Sequence, residues 1–301
     1  RRKLLELVLL SAVWGVSWPA MRAAAPAIGA TGTAWSRMVF AVATLLVFAL
    51  VSDRPALRPG PLLRYLPLTL FNAAIPLVLT PLALTHLTAS YGSVLNAGTP
   101  LFSAAFASLL LGQAIRREQV VGMLGGIVGV ALVMGLSPIP MNRTTLLSIL
   151  AIMTGSVCYA FAAVWTRREF SRESGLRMAV WQQIVALAIL SPVVLVFNPG
   201  APAELDTSGT IVLAIAVLGI VCTAVGYLQY FALIREIGPT MTATVTILIP
   251  IFGLLWSALL LGERVTLGSM GGMLVVLASV WVVIGRPNLL ARPAPAPAAA
   301  D

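Results

Sequence analysis

Ten runs of mostly apolar residues divide this chain, at 4–21, 32–51, 64–84, 90–111, 119–136, 144–166, 178–197, 210–233, 240–261 and 267–285. Each is close to the roughly 20 residues that an α-helix needs to cross the hydrocarbon of a bilayer. The 301 residues are 59% hydrophobic and 10% charged, whereas a water-soluble domain carries about 25% charged residues. Backbone N–H and C=O groups find no partner in hydrocarbon, so each run must satisfy its own groups as a helix. The strands of a β-barrel alternate apolar and polar residues, and these runs are continuously apolar. The expected fold is therefore an all-α polytopic membrane protein with ten transmembrane helices. No small-residue cleavage site follows Arg1-Arg2-Lys3, so the first run is read as a retained span.

The basic residues orient the helices. With the N-terminus in the cytoplasm, that side holds fifteen: Arg1, Arg2, Lys3, Arg54, Arg58, Arg64, Arg116, Arg117, Arg167, Arg168, Arg172, Arg177, Arg235, Arg286 and Arg292. The opposite side holds three, Arg22, Arg143 and Arg264, and Arg37 falls inside the second run. The positive-inside rule then predicts that both termini are cytoplasmic. The acidic loop 198–208, with Glu204 and Asp206, falls outside. Topology thus accounts for the net charge of +9, and no basic patch remains that calls for nucleic acid.

The chain is also duplicated. Leu109-Leu110-Leu111-Gly112-Gln113 recurs as Leu259-Leu260-Leu261-Gly262-Glu263, and the same offset pairs Pro100 with Pro250, Phe102 with Phe252 and Gly122-Met123-Leu124 with Gly272-Met273-Leu274. At an offset of 145 to 146, Trp14 aligns with Tyr159, Arg22 with Arg167, Trp35 with Trp181 and Arg37 with Gln183. The reading gives a first five-helix repeat at 1–136, a second at 137–285 and a disordered cytoplasmic tail at 286–301. Five is odd, so the second repeat enters the membrane inverted. Inverted repeats place a binding site near the midplane, between the halves, and provide two pseudo-equivalent states for alternating access.

No nucleotide, metal or nucleophile motif occurs, and no cofactor or enzymatic activity is expected. Cys158 and Cys222 sit in apolar runs and read as buried thiols. All ten carboxylates (Glu6, Asp53, Glu118, Glu169, Glu173, Glu204, Asp206, Glu236, Glu263 and Asp301) lie at helix ends, in loops or in the tail. Ion-coupled carriers commonly embed an acidic residue. Facilitated movement of substrate is therefore expected over a carboxylate-coupled cycle.

Polar and aromatic residues line up on several helices, and such faces turn toward other helices or a cavity. Helix 1 carries Ser11, Trp14, Trp18 and Met21; helix 3 carries Asn72, Pro76, Thr80, Ala83 and His86. Helix 4 carries Ser93, Asn96, Pro100 and Ser103, answered on helix 9 by Ala243, Thr246, Pro250 and Gly253. The substrate-binding candidates are Trp14, Trp18, Arg37, Asn72, His86, Asn96, Tyr159, Gln182, Tyr227 and Tyr230. Hydroxyl stripes also serve as packing contacts, and Arg37 fits a snorkelling or structural role as well as a substrate carboxylate. Pro76, Pro100 and Pro250 are the hinge candidates, since each removes an intrahelical hydrogen bond. Gly122-x-x-x-Gly126, Gly125-x-x-x-Gly129 and Gly268-x-x-x-Gly272 predict a close contact of helices 5 and 10 first, and a homodimer seam second.

At these residues the chain resembles the drug/metabolite transporter superfamily and, within it, the EamA-type exporters. The resemblance spans residues 4 to 285. It rests on the two five-helix halves, on Trp14-Gly15-x-Ser17-Trp18, on Ala89-Ser90-Tyr91 with Pro100-Leu101-Phe102 and Leu111-Gly112-Gln113, and on the counterparts Pro239-Thr240-Met241, Pro250-Ile251-Phe252 and Leu261-Gly262-Glu263. Tyr159-Ala160 replaces the opening Trp-Gly in the second half, and Gln113 departs from the acidic residue kept as Glu263. The resemblance implies a bacterial inner-membrane exporter of small metabolites, closest in character to exporters of aromatic and neutral amino acids. It implies that helices 1–4 and 6–9 surround the cavity. The alternatives are a drug or nucleotide-sugar carrier, the latter disfavoured by the lack of an embedded Lys, and a proton-linked antiporter using His86.

Overall fold

The computed structural model describes residues 2–52, 54–58, 62–115, 117–135, 142–197, 209–262 and 267–284, and every regular element among them is a helix. The loop 198–208, Glu263, Arg264 and the tail 286–301 lie outside the described residues. The helices are α1 (Arg2–Gly15), α2 (Ser17–Ser52), α3 (Leu62–Leu84), α4 (Tyr91–Leu111), α5 (Arg117–Gly135), α6 (Arg143–Glu169), α7 (Gly175–Phe197), α8 (Gly209–Ile237), α9 (Pro239–Leu261) and α10 (Leu267–Ile284). Seven stretches among the described residues are long and apolar enough to cross a membrane, and α5 and α10 contribute shorter apolar stretches, Val120–Gly129 and Met270–Ser279.

The first of the seven runs from Arg2 to Ser52, 51 residues. A straight helix of that length would be about 76 Å long, against about 30 Å of hydrocarbon. Gly29, at φ 72 and ψ 165, breaks it. The sequence pattern places a connection at 22–31, yet the structure keeps that segment helical apart from Gly29. Ala23, Ala24, Ala25 and Ala27 are strong helix formers, so the helix is interrupted at a single residue that tolerates positive φ.

The duplication reappears in backbone detail. Gly112 (φ 64, ψ 21) and Gly262 (φ 65, ψ 20) close α4 and α9 with matching left-handed caps, which explains why the repeated Leu-Leu-Leu motif ends in Gly. A π-helical turn at Leu70–Ala74 interrupts α3, and one at Val217–Val225 interrupts α8. Helix packing repeats with the halves exchanged. The α1 helix packs on α9 as α6 packs on α4, and α2 packs on α8 as α7 packs on α3.

The α5 and α10 helices pack chiefly on each other. A Cβ on Gly129 would come within 2.8 Å of the Val276 backbone nitrogen, and one on Gly125 within 2.7 Å of Ser279 Oγ. Glycine is what permits this approach, and the contact of helices 5 and 10 expected from the sequence is present. Cys158 and Cys222 are buried free thiols.

Candidate functional site

The other helices leave a cavity between the two halves, lined from α1, α2, α3, α4, α6, α8 and α9. Counted where the centre of a water molecule can lie, its volume is about 70 Å3, room for about five waters. Eight of the ten expected residues border it: Trp14, Trp18, Arg37, Asn72, Asn96, Tyr159, Tyr227 and Tyr230. Three aromatic rings form one wall, with Trp14 centred 5.1 Å from Tyr230 and 5.9 Å from Tyr227, and the two tyrosines 6.0 Å apart.

Two expected residues lie elsewhere. Gln182 is fully buried behind the wall, where its Oε1 accepts from Asn72 Nδ2 at 2.9 Å. It therefore holds Asn72 rather than facing the cavity. His86 is exposed in the turn after α3. The helix ends at Leu84, so the face carrying Asn72, Pro76, Thr80 and Ala83 stops before reaching it. Arg37 is only 5% exposed and reaches the cavity instead of snorkelling. Its Nε donates to Thr223 Oγ1 at 2.5 Å, and its Nη1 lies 3.9 Å from Met21 Sδ.

The irregular turns of α3 and α8 shape the site. Pro76 has no N–H to reach the Asn72 carbonyl, and Tyr227 Oη donates to that oxygen at 2.6 Å. In α8 the Gly226 N–H points to the carbonyls of Thr223 and Val221, passing over Cys222. Trp14 Nε1 donates to the Cys222 carbonyl at 2.9 Å. Two wall aromatics are thus fixed by carbonyls that a regular helix would have used internally.

On α4 a 3₁₀ turn at Asn96–Gly98 precedes Pro100. Pro100 offers the Asn96 carbonyl no N–H, and that carbonyl accepts from the Thr99 backbone N–H and, at 2.7 Å, from Thr99 Oγ1. Asn96 Oδ1 accepts from Ser156 Oγ at 3.1 Å and from Thr99 Oγ1 at 3.3 Å. Pro76 and Pro100 each stand where an irregular turn gives way to regular helix, while Pro250 lies inside the helix Val245–Leu261.

Ser17, Thr99 and Thr242 also line the cavity, unsuspected from the sequence. Thr242 stands four residues before Thr246, a spacing that puts both on one face of α9. Ser17 Oγ donates to the Trp14 carbonyl, Thr242 Oγ1 to Gly238 and Thr246 Oγ1 to Ala243, at 2.5 to 2.7 Å. With their protons committed, these hydroxyls offer the cavity lone pairs only. Arg37 is the sole buried charged residue among the described residues, and none of the lining residues is acidic.

The model of the EamA-like transporter family matches this chain twice, at residues 2–135 and 146–285. The "Uncharacterized transporter YvbV" of Bacillus subtilis is 24% identical over 94% of this chain and 91% of its own. The "Probable terminal-alkyne amino-acid exporter" of Streptantibioticus cattleyicolor is 27% identical over 85% of this chain and 84% of its own. The "Probable amino-acid metabolite efflux pump" of Salmonella typhimurium is 21% identical over 64% of this chain and 67% of its own. A solved crystal structure superposes with a TM-score of 0.69 at 17% identity, over 95% of this chain and 97% of the other, and so shares the fold. The duplicated helical halves, the cavity between them and the two family matches agree: the chain belongs to the EamA-like transporter family.

Proposed function

We propose that the protein exports aromatic and other neutral amino acids, or closely related metabolites, across the bacterial inner membrane by alternating access. The observation that carries this reading is the cavity. Five aromatic side chains, neutral hydrogen-bonding groups and one guanidinium suit a small amphipathic molecule with an apolar side chain and a carboxylate. Two relatives bear names that include amino-acid export or amino-acid metabolite efflux.

In this reading the chain crosses ten times. Arg2–Ser52 makes two crossings, reversing at Gly29, and the shorter α5 and α10 make one each. Both termini are cytoplasmic, and the halves 1–136 and 137–285 are inverted copies that rock about the cavity. Pro76, Pro100 and Pro250 are the places where α3, α4 and α9 bend. One copy contains a whole cavity, so a monomer suffices. The binding residues are Trp14, Trp18, Arg37, Asn72, Asn96, Tyr159, Tyr227 and Tyr230, with Gln182 holding Asn72.

No carboxylate among the described residues is buried, so movement follows the substrate gradient. The test is efflux of radiolabelled phenylalanine from proteoliposomes with no pH or sodium gradient. Efflux above empty liposomes, slowed by Asn72→Ala, Asn96→Ala or Tyr159→Ala in folded protein, is expected. A strict need for an imposed ion gradient would overturn the uniport. Normal efflux in all three variants would overturn the site.

A further inference from the structure

The charges of this cavity are unbalanced. Arg37 brings one permanent positive charge into a buried site. Among the described residues only its Nε and Nη1 have partners, and these are neutral, Thr223 Oγ1 and Met21 Sδ. A buried guanidinium is costly unless an anion pairs with it and takes its remaining N–H groups. None of the described lining residues is acidic, so that anion is expected from the cargo. An ammonium group has no such counterpart. It would find ring faces, the lone pairs of hydroxyls and the amide oxygens of Asn72 and Asn96, all of them neutral, and Arg37 would repel it.

We infer that the cavity selects its cargo by the carboxylate and not by the amine, so that monocarboxylates lacking an ammonium group, such as deaminated or N-acylated relatives of amino acids, are also cargo. This rests on the reading of the cavity as the transport site. A guanidinium fork pairs a carboxylate through two parallel hydrogen bonds, and the wall of Trp14, Tyr227 and Tyr230 receives the apolar body. Removing the amine costs the cargo only weak contacts and relieves the repulsion. Removing the carboxylate leaves the guanidinium unpaired. Arg37 is therefore the specificity-determining residue.

The experiment is calorimetric titration of the purified, detergent-solubilised protein with four molecules of matched ring and length. These are phenylalanine, 3-phenylpropanoate, phenylalaninamide and phenethylamine. The propanoate should bind at least as tightly as phenylalanine, and the amide and the amine at least about tenfold more weakly, as expected for loss of a charge-assisted pair. Arg37→Gln, checked for an unchanged unfolding temperature, should erase the preference for carboxylates. Arg37→Lys, which keeps the charge without the fork, should retain part of it. If phenylalanine binds while the propanoate does not, or if the amine binds as well as either acid, carboxylate selection fails while the amino-acid reading stands. If none of the four binds, both fail.

Discussion

The backbone carbonyls of Asn72 and Cys222, 150 positions apart, are each held by an aromatic side chain from the other half of the chain: Tyr227 for Asn72 and Trp14 for Cys222. Both carbonyls lie in π-helical turns, at Leu70–Ala74 and Val217–Val225. The duplicated backbone irregularity thus creates two ties between the halves, and both ties end on rings that wall the cavity. A rearrangement that separates α8 from α1 or from α3 must break one of these bonds or carry it along.

Tyr227→Phe keeps the ring and removes the tie to Asn72, and Trp14→Phe removes the tie to Cys222. Inter-helix hydrogen bonds within membranes contribute about 0.6 kcal/mol on average and up to about 1.7. Each variant should lower the unfolding free energy in detergent by an amount in that range, and the unfolding temperature with it. Because the two rings touch at 5.9 Å, the double variant should depart from additivity. Unchanged unfolding of both single variants would mean that the ties carry no energy.

Pro76 and Tyr227 should be energetically coupled. Pro76→Ala supplies an N–H four residues beyond Asn72, a second donor for the carbonyl that Tyr227 now holds. The cost of Tyr227→Phe should therefore be smaller in the Pro76→Ala background, with an interaction energy of about 0.5 kcal/mol or more. The double-mutant cycle reads this directly. A null cycle would show that the bend at Pro76, and not the missing donor, makes room for the tyrosine.

Thr223 positions the guanidinium of Arg37. Thr223→Val keeps the shape and removes the acceptor, and a hydrogen bond to a charged group contributes roughly 1.5–3 kcal/mol. Substrate affinity should fall at least severalfold, and Thr223→Ser should restore it. Equal affinity in the Val and Ser variants would show that packing around Met21 and Tyr227 alone orients Arg37.

Much of the site was legible because helical periodicity carries it. Trp14 with Trp18 follows the spacing of one helix face, and so do Asn72 with Thr80 and Tyr227 with Tyr230. The π turns were not legible. They insert a residue into the hydrogen-bond ladder without any composition of their own, and Leu70–Ala74 looks like its flanks. His86 lies off the cavity for a related reason, since a face projected past the end of a helix has no meaning beyond Leu84. Gln182 and Gln183 are adjacent in sequence, and only three dimensions show that Gln182 meets Asn72 while neither amide atom of Gln183 has a partner.

That orphaned amide yields a stability prediction. Gln183 aligns with Arg37 in the repeat, and Ala73 aligns with Thr223. The first half's charged side chain finds a hydroxyl, whereas the position answering that hydroxyl is a methyl group. Gln183 is fully buried, and a buried polar group without a partner costs about 1–3 kcal/mol. Gln183→Met, of similar volume, should raise the unfolding temperature and leave affinity unchanged. A fall would mean that an internal water completes the amide's hydrogen bonds.

Export should be insensitive to pH near neutrality. Histidine is the side chain whose ordinary titration falls in that range, and the one histidine of this chain, His86, is exposed on the turn after α3, away from the lining residues. No carboxylate among the described residues is buried where its titration could be coupled to the cavity. Initial rates of phenylalanine efflux from proteoliposomes, buffered equally inside and out, should stay within about twofold between pH 6 and 8. His86→Ala should match the parent protein across that range. Equal pH on both sides removes any proton gradient, so a sigmoidal profile that disappears in His86→Ala would identify protonation of His86 itself as a step in transport. That result would replace the uniport with the proton-linked cycle.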